Sequence, residues 1–120
     1  MEESEFYRFN NIIREIIKKS LFTERQIEII LKHKNLIETK LSISKGAYYR
    51  QVSQSREKLL RFYYSIILLR GLGIVLPDDI DMMSQLSEQV SVIKDGDVFP
   101  ERGLEIIGVI DKMIKQLSKM

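Results

Sequence analysis

Apolar residues recur along most of the chain at the three- and four-residue spacing of an α-helix, and strict alternation is rare. This spacing predicts a first helix over residues 4–19, with its apolar face formed by Phe6, Phe9, Ile13, Ile16 and Ile17. Thr23 and Gln26 have the separation of a capping box, so we expect a second helix to begin there and to end near residues 34–35. The apolar positions of this second helix predict burial of Ile27, Ile30 and Leu31.

The longest regular segment is predicted from Lys45 to Arg70, with Ser44 as its N-cap. A seam of residues spaced alternately four and three apart faces inward: Tyr48, Val52, Ser55, Leu59, Phe62, Ile66 and Leu69. The second half of this helix is apolar almost all round, so we expect it to enter a core or an interface. Gly71 or Gly73 can end the helix in a left-handed cap, and Pro77 prevents its continuation.

Two more helices are predicted in the C-terminal part. One begins near Pro77, where Asp78, Asp79 and Asp81 oppose the positive end of the helix dipole, and it buries Ile80, Met83, Leu86, Val90 and Ile93. After a turn at residues 95–97, the last helix opens at residues 99–101 and presents Leu104, Ile107, Ile110 or Asp111, Ile114 and Leu117. We therefore predict an all-α fold of five to six helices in a single domain, residues 1–120, that ends in a helical hairpin.

The composition of the chain limits which kinds of catalytic and metal sites it can form. The 120 residues include no cysteine, which excludes disulfides, thiolate zinc sites and a cysteine nucleophile. The single histidine, His33, argues against histidine-rich metal sites and Ser-His-Asp catalysis. The three aspartates at the start of the fourth helix are explained by the helix dipole rather than by a metal. We expect no enzyme activity, no metal and no cofactor.

The net charge of +2 conceals a division. Residues 1–70 contain 14 basic and 8 acidic side chains, whereas residues 71–120 contain 5 and 9. Such asymmetry favours a nucleic-acid-binding part joined to an acidic support. The acidic residues 2–5 do not resemble a secretory signal, and the apolar run over residues 62–76 is shorter than the roughly 18 residues of a membrane span. We expect a cytoplasmic protein without a membrane segment.

Three segments resemble the helix-turn-helix domains of sigma-factor region four and response-regulator effectors. Residues 22–30 (FTERQIEII) are similar to the first helix, residues 37–44 (IETKLSIS) to the second helix and turn, and residues 44–59 (SKGAYYRQVSQSREKL) to the recognition helix. The sequence departs from the family pattern in a shorter stretch between the first two helices, in Glu38 for a small alanine, and in Ser42 for the turn glycine. The resemblance implies a helix-turn-helix fold and double-stranded DNA as the partner.

With the seam inward, the first turns of the long helix present outward the polar side chains that can contact DNA. Arg50 and Gln54 are the candidates for reading bases, because arginine pairs bidentately with guanine and glutamine with adenine. Gly46 allows close approach to the DNA backbone, and Ser53 lies on the same side. Phosphate contacts are expected from Ser44, Lys45, Tyr49, Arg56, Lys40 and Arg25.

These observations predict a sequence-specific DNA-binding protein, a transcription regulator. The residues Phe62, Tyr63, Ile66, Ile67 and Leu69 are expected in the core or in a homodimer whose recognition helices lie about 34 Å apart, one turn of DNA. The alternative is a protein-interaction module that uses the helix-turn-helix as a scaffold and does not bind DNA.

Overall fold

A computed structural model describes residues 8–94 and 100–120 and contains five α-helices, with no strand among these residues. They are α1 (Asn11–Lys19), α2 (Glu24–His33), α3 (Lys45–Gly71), α4 (Pro77–Ile93) and α5 (Pro100–Leu117). The all-α prediction is confirmed. The chain divides into two compact units: Ile17–Ser65 forms the first, and Phe9–Ile16 with Ile66–Met120 the second. None of the helices in the described part is both long and apolar enough to traverse a membrane.

Helix α1 begins later than the periodicity predicted. Residues 8–10 are not helical, because the Asn10 side chain accepts a hydrogen bond from the Ile13 amide (2.9 Å) and caps the helix at its first turn. The Asn10 amide group also donates to the carbonyl oxygen of Ile93 (2.7 Å), which lies in the same unit. Phe6 and the rest of the predicted first turn lie outside the described residues.

The predicted capping box of α2 is confirmed. The Thr23 hydroxyl accepts from the Gln26 amide and the Gln26 side chain accepts from the Thr23 amide, each at 3.1 Å. At the other end, Asn35 adopts a positive φ of 58°, and the Leu36 amide donates to the carbonyl oxygen of Leu31 (2.8 Å). These are the features of a Schellman cap, which fixes the end of α2.

The predicted inner face of α2 is wrong in part. Ile27, Ile30 and Leu31 are only half-buried, whereas Ile29 is fully buried. Gln26 and Glu28 are also buried, since both are held by polar contacts described below. The apolar pattern alone could not reveal this rotation, because it assigns polar residues to the solvent side.

The segment that resembles the second helix of a helix-turn-helix is not helical. Residues 36–44 run without a helix from the end of α2 to the start of α3. The helix expected there from the resemblance is therefore absent, and only α2 and α3 correspond to predicted helices of the unit. The sequence differs from the family pattern within this same segment, at Glu38 and Ser42.

Helix α3 has the predicted extent, Lys45–Gly71, and ends as predicted. Gly73 has a φ of +75°, the Ile74 amide donates to the Leu69 carbonyl (2.9 Å), and the Gly73 amide donates to that of Arg70 (3.1 Å). This is a second Schellman cap, and glycine suits the left-handed residue because it has no Cβ. Pro77 opens α4 shortly afterwards.

The inward seam of α3 holds over its first half, whereas the second half, predicted to lie in a core or an interface, is not enclosed by the described residues. Val52 and Ser55 are buried, and Tyr48 and Leu59 are half-buried. Among the residues predicted in a core or dimer, Ile66 and Leu69 are half-buried, but Phe62, Tyr63 and Ile67 are exposed. A single helix buries only a stripe unless other elements cover its remaining sides, and the described residues do not cover this one.

The second unit brings α4 and α5 together with the first part of α1. Leu86 and Ile93 are buried on α4, as predicted, whereas Ile80, Met83 and Val90, which were also predicted to be buried, are half-buried. The predicted face of α5 is corrected: Leu104 is 76% exposed and Ile114 is also exposed, while Gly103 is buried. A Cβ added to Gly103 would lie 3.3 Å from Cγ1 and Cδ1 of Ile12, so the absent side chain lets α1 approach α5 closely. The predicted turn at residues 95–97 lies outside the described residues.

Candidate nucleic-acid interface

The side of α3 opposite its buried seam is polar along its first half and exposed to solvent. At 100° per residue, Gly46, Arg50, Ser53 and Gln54 lie on the side of the helix opposite Val52 and Ser55, whereas Lys45, Tyr49 and Arg56 lie at the edge of that side nearest Val52. All of them are exposed: Lys45, Gly46, Tyr49, Arg50, Ser53, Gln54 and Arg56. The structure therefore leaves all seven predicted residues exposed to solvent on one helix.

Helix α3 as a whole carries more basic than acidic side chains. Over the whole helix, six residues are Lys or Arg and one, Glu57, is acidic. The first unit, residues 17–65, contains 11 basic and four acidic side chains, whereas residues 66–120 contain six and nine. The charge division seen in the sequence thus follows the compact units, and the positive excess belongs to the unit that contains the first half of α3.

The start of α3 is shaped by Ser44 and Gly46. The Ser44 hydroxyl accepts a hydrogen bond from the Ala47 amide (3.1 Å), so it acts as the N-cap and stays exposed. No atom lies within 4 Å of a Cβ added to Gly46. Packing inside the protein therefore does not require glycine at this position, which leaves room for a partner to approach the backbone.

A basic groove lies beside this helix start. It has a volume of about 420 Å³ and is lined by Lys32, Lys40, Leu41, Ile43, Lys45, Tyr48 and Tyr49. The rings of Tyr48 and Tyr49 meet edge to face with centroids 5.7 Å apart. Three ammonium groups and two phenol groups in one groove are donors suited to phosphate oxygens. We call these seven residues the lysine groove.

The lysine groove adds two polar residues that were not among the predicted DNA contacts. Lys32 belongs to α2, and Tyr48 was assigned to the buried seam of α3. Both reach the groove because residues 36–44 return the chain from the end of α2 to the start of α3 without a helix. The sequence analysis expected a helix in this segment, from the resemblance to helix-turn-helix domains, and so did not predict that Lys32 and Tyr48 lie in one groove.

A lysine from α3 ties the helix to the region around the start of α2. The Lys58 Nζ donates to the carbonyl oxygen of Leu21 and to Oε1 of Gln26, each at 2.7 Å. It also lies 5.9 Å from the centroid of the Phe22 ring. Gln26 and Lys58 come from the first and third of the segments that carry the resemblance, so those two segments meet in the folded protein. We call this set of contacts the Lys58 brace.

Arg25 is placed differently from the other predicted phosphate contacts. It is half-buried, and its Nη1 lies 3.7 Å from Oε2 of Glu28, whose side chain is only 5% exposed. This ion pair directs Arg25 toward the protein. Lys40, by contrast, is exposed and lines the lysine groove, as a phosphate contact requires.

The acidic residues at the start of α4 have a structural role. Oδ2 of Asp79 accepts a hydrogen bond from the Leu76 amide (2.8 Å) and caps the helix. Within residues 8–94 and 100–120, no three histidine, aspartate or glutamate side chains are grouped so as to hold a metal ion. Helix electrostatics accounts for the cluster.

Comparison of the chain with protein-family models, with curated proteins and with solved structures finds no match.

Proposed function

We propose that this protein binds double-stranded DNA by placing the exposed side of α3 in the major groove. The observation that carries the proposal is the continuous exposed polar side of the first half of α3, which includes Arg50 and Gln54. Arginine and glutamine are side chains that can pair with base edges in the major groove. A helix fits the major groove without requiring a helix before it, since continuous basic helices also bind there. The absence of a helix over residues 36–44 therefore does not remove α3, the helix that would contact the bases.

The lysine groove supplies the part of the interaction that does not depend on sequence. Lys32, Lys40 and Lys45 lie beside the first turn of α3, where the phosphate backbone runs when a helix enters the groove with its N-terminal end. Phosphate contacts of this kind fix orientation, and base contacts supply specificity. A protein that selects sequences in this way fits the role of a transcription regulator.

The test is binding to a duplex selected from a random pool, measured over a range of salt concentrations. We expect wild-type affinity to fall steeply with salt, and Lys45→Ala to reduce the slope of log K against log salt by about 1. Arg50→Ala is expected to weaken binding by about 1–3 kcal/mol and to relax selectivity at one base position. The absence of any salt-dependent duplex binding by the wild-type protein would contradict the proposal.

A matched control removes the same charge elsewhere. Lys112 lies on α5 in the second unit and is exposed, so Lys112→Ala lowers the net charge equally without touching α3 or the lysine groove. We expect its salt slope to stay at the wild-type value. Equal losses from Lys112→Ala and Lys45→Ala would show non-specific attraction to the whole molecule and not binding through α3.

We further propose that two copies pair through the second half of α3. Leu60, Tyr64, Ile67 and Gly71 follow one another at spacings of four, three and four, which is the seam of a two-helix coil, and all four are exposed. Tyr64 and Ile67 are 68% and 69% exposed. This outward seam lies on the same side of α3 as Arg50, Gly46 and Ser53.

The exposed apolar area is of the size that a dimer needs. Leu60, Tyr63, Tyr64, Ile67 and Leu68 are each between 47% and 69% exposed. With large side chains of ~200 Å² each, they offer about 600 Å² per subunit, close to the ~800 Å² that each partner buries in a standard interface. A second copy supplies the same apolar seam, which is why we favour it over an unrelated partner.

Sedimentation at tens of micromolar tests the dimer. We expect a dimer mass for the wild type and a monomer mass for Ile67→Glu, because a carboxylate in the seam would be buried opposite its own copy. Val92→Glu, at another exposed apolar position on α4, is the matched control and should remain a dimer. A wild-type monomer would contradict the pairing while leaving duplex binding by the monomer open to its own test.

A further inference from the structure

A small cavity lies between α2 and α3, on residues that the proposed DNA contact mostly does not use. Its volume is about 130 Å³, and its walls include Ile29, Ile30, Val52 and Leu59. All four belong to the first unit. An apolar cavity of about 150 Å³ admits benzene, and this one is slightly smaller but opens to solvent on one side, so it can take a single six-membered ring whose outer part lies at the opening.

The cavity contains one buried polar group. Ser55 lines it, is 2% exposed, and its hydroxyl has no hydrogen-bond partner in the protein. Leaving a buried hydroxyl without a partner costs free energy that a packed alanine would avoid. A ligand that carries a hydrogen-bonding group into the cavity would satisfy this hydroxyl.

The solvent side of the cavity is basic. His33, Lys34 and Arg56 line it and are exposed, and none of the side chains that line it in the described part of the chain is acidic. Basic side chains at the mouth of an apolar cavity favour a ligand with a carboxylate at its outer end. Three separate features of the cavity thus specify three groups of a ligand: the apolar walls fit a ring, the Ser55 hydroxyl fits an inner hydroxyl, and the basic opening fits an outer carboxylate.

We propose that this cavity binds a hydroxylated aromatic carboxylate, with the ring between α2 and α3, a hydroxyl on Ser55 and the carboxylate at the basic mouth. The binding concerns the protein alone and does not depend on whether it binds DNA. It places a small-molecule site directly beneath α3.

The test is titration of the full-length protein with 3- and 4-hydroxybenzoate, benzoate and phenol, followed in methyl-resolved NMR spectra. We expect at least one hydroxybenzoate to shift the methyl signals of Ile29, Val52 and Leu59. We expect its Kd to be about fivefold lower than that of benzoate, which lacks the inner hydrogen bond. Its Kd should also be lower than that of phenol by about tenfold, because phenol lacks the carboxylate.

Two variants separate the features. Ser55→Ala should abolish the advantage of hydroxybenzoate over benzoate, and Arg56→Gln should reduce its advantage over phenol. Arg61→Gln, also exposed on α3 but outside the cavity lining, is the matched control and should bind as the wild type does. The wild-type-like methyl spectra of the free variants establish that they are folded.

Three results would overturn the proposal. The first is the absence of shifts in these methyl signals at about 10 mM of any of the four compounds, a concentration that reveals even weak complexes. The second is shifts confined to another part of the protein. The third is unchanged dissociation constants in both Ser55→Ala and Arg56→Gln.

Discussion

The Lys58 brace should contribute measurably to the stability of the first unit. Lys58→Met retains most of the hydrocarbon stem and removes the ammonium group, so the 2.7 Å bonds to the Leu21 carbonyl and to Oε1 of Gln26 are both lost. A hydrogen bond to a charged group contributes about 1.5–3 kcal/mol, and less where water can replace it. Lys58 is half-buried, so we expect the variant to lower the free energy of unfolding by about 2 kcal/mol.

A double-mutant cycle isolates the contact with Gln26. Gln26 also accepts from the Thr23 amide, so Gln26→Met loses the capping box as well as the lysine contact. In the Gln26→Met background, Lys58→Met removes only the bond to Leu21, and its cost should fall to about 1 kcal/mol. The expected coupling energy between the two positions is therefore about 1 kcal/mol.

Urea unfolding followed by circular dichroism measures these free energies at equilibrium. Arg61→Met, three residues further along α3 at an exposed position, is the matched control and should stay within about 0.5 kcal/mol of the wild type. The reasoning is refuted if Lys58→Met costs no more than this control, or if the two substitutions are additive within about 0.3 kcal/mol.

Three further substitutions test other contacts by the same unfolding measurement. Gly103→Leu should destabilise the protein by about 1–3 kcal/mol because its side chain would collide with Ile12. Gly108→Leu, on the same helix with open space around it, should not destabilise it. Equal effects of the two substitutions would exclude the close approach of α1 to α5 at Gly103. Asn10→Ala should cost about 2 kcal/mol, because it removes both the cap on the Ile13 amide and the bond to the Ile93 carbonyl; a cost near zero would show that neither hydrogen bond contributes. Gly46→Ala should leave the free energy of unfolding unchanged or raise it by up to about 1 kcal/mol, since nothing packs against its added Cβ. In the duplex-binding assay the same variant should bind more weakly. Binding equal to that of the wild type would exclude Gly46 from the DNA contact.

The candidate interface shows where sequence reasoning succeeds. The outward residues of α3 could be assigned because helix geometry fixes which positions share a side once Val52 and Ser55 are placed inward. The exposure of Arg50 and Gln54 follows from that rule and needs no tertiary information. Arg25 could not be assigned in this way, because its partial burial and the burial of Glu28 depend on the rotation of α2 about its own axis.

The lysine groove shows where sequence reasoning fails. Lys32 and Lys45 are 13 positions apart in the sequence, and their presence in one groove depends on the path of residues 36–44. A resemblance in that segment predicted a helix, but short apolar patterns do not distinguish a helical turn from an extended connection. Only the folded chain brings these lysines and Tyr48 together.

The sequence by itself determined the helices and most of their ends. The Thr23–Gln26 capping box, the Ser44 cap and the left-handed Gly73 are local interactions, formed by residues close in the chain, so they can be recognised from residue types and spacing. The charge division between the two parts of the chain could also be predicted, because it depends only on the residue types and their positions in the sequence.

Only the tertiary structure decided which apolar residues are covered. Ile29 is fully buried and Ile67 is largely exposed, although both are isoleucines on helices with strong apolar patterns. Burial depends on which surfaces of other elements lie against a helix, and that is a property of contacts between residues distant in sequence. The same contacts leave the Ser55 hydroxyl inside an apolar cavity and leave large apolar side chains exposed on the second half of α3.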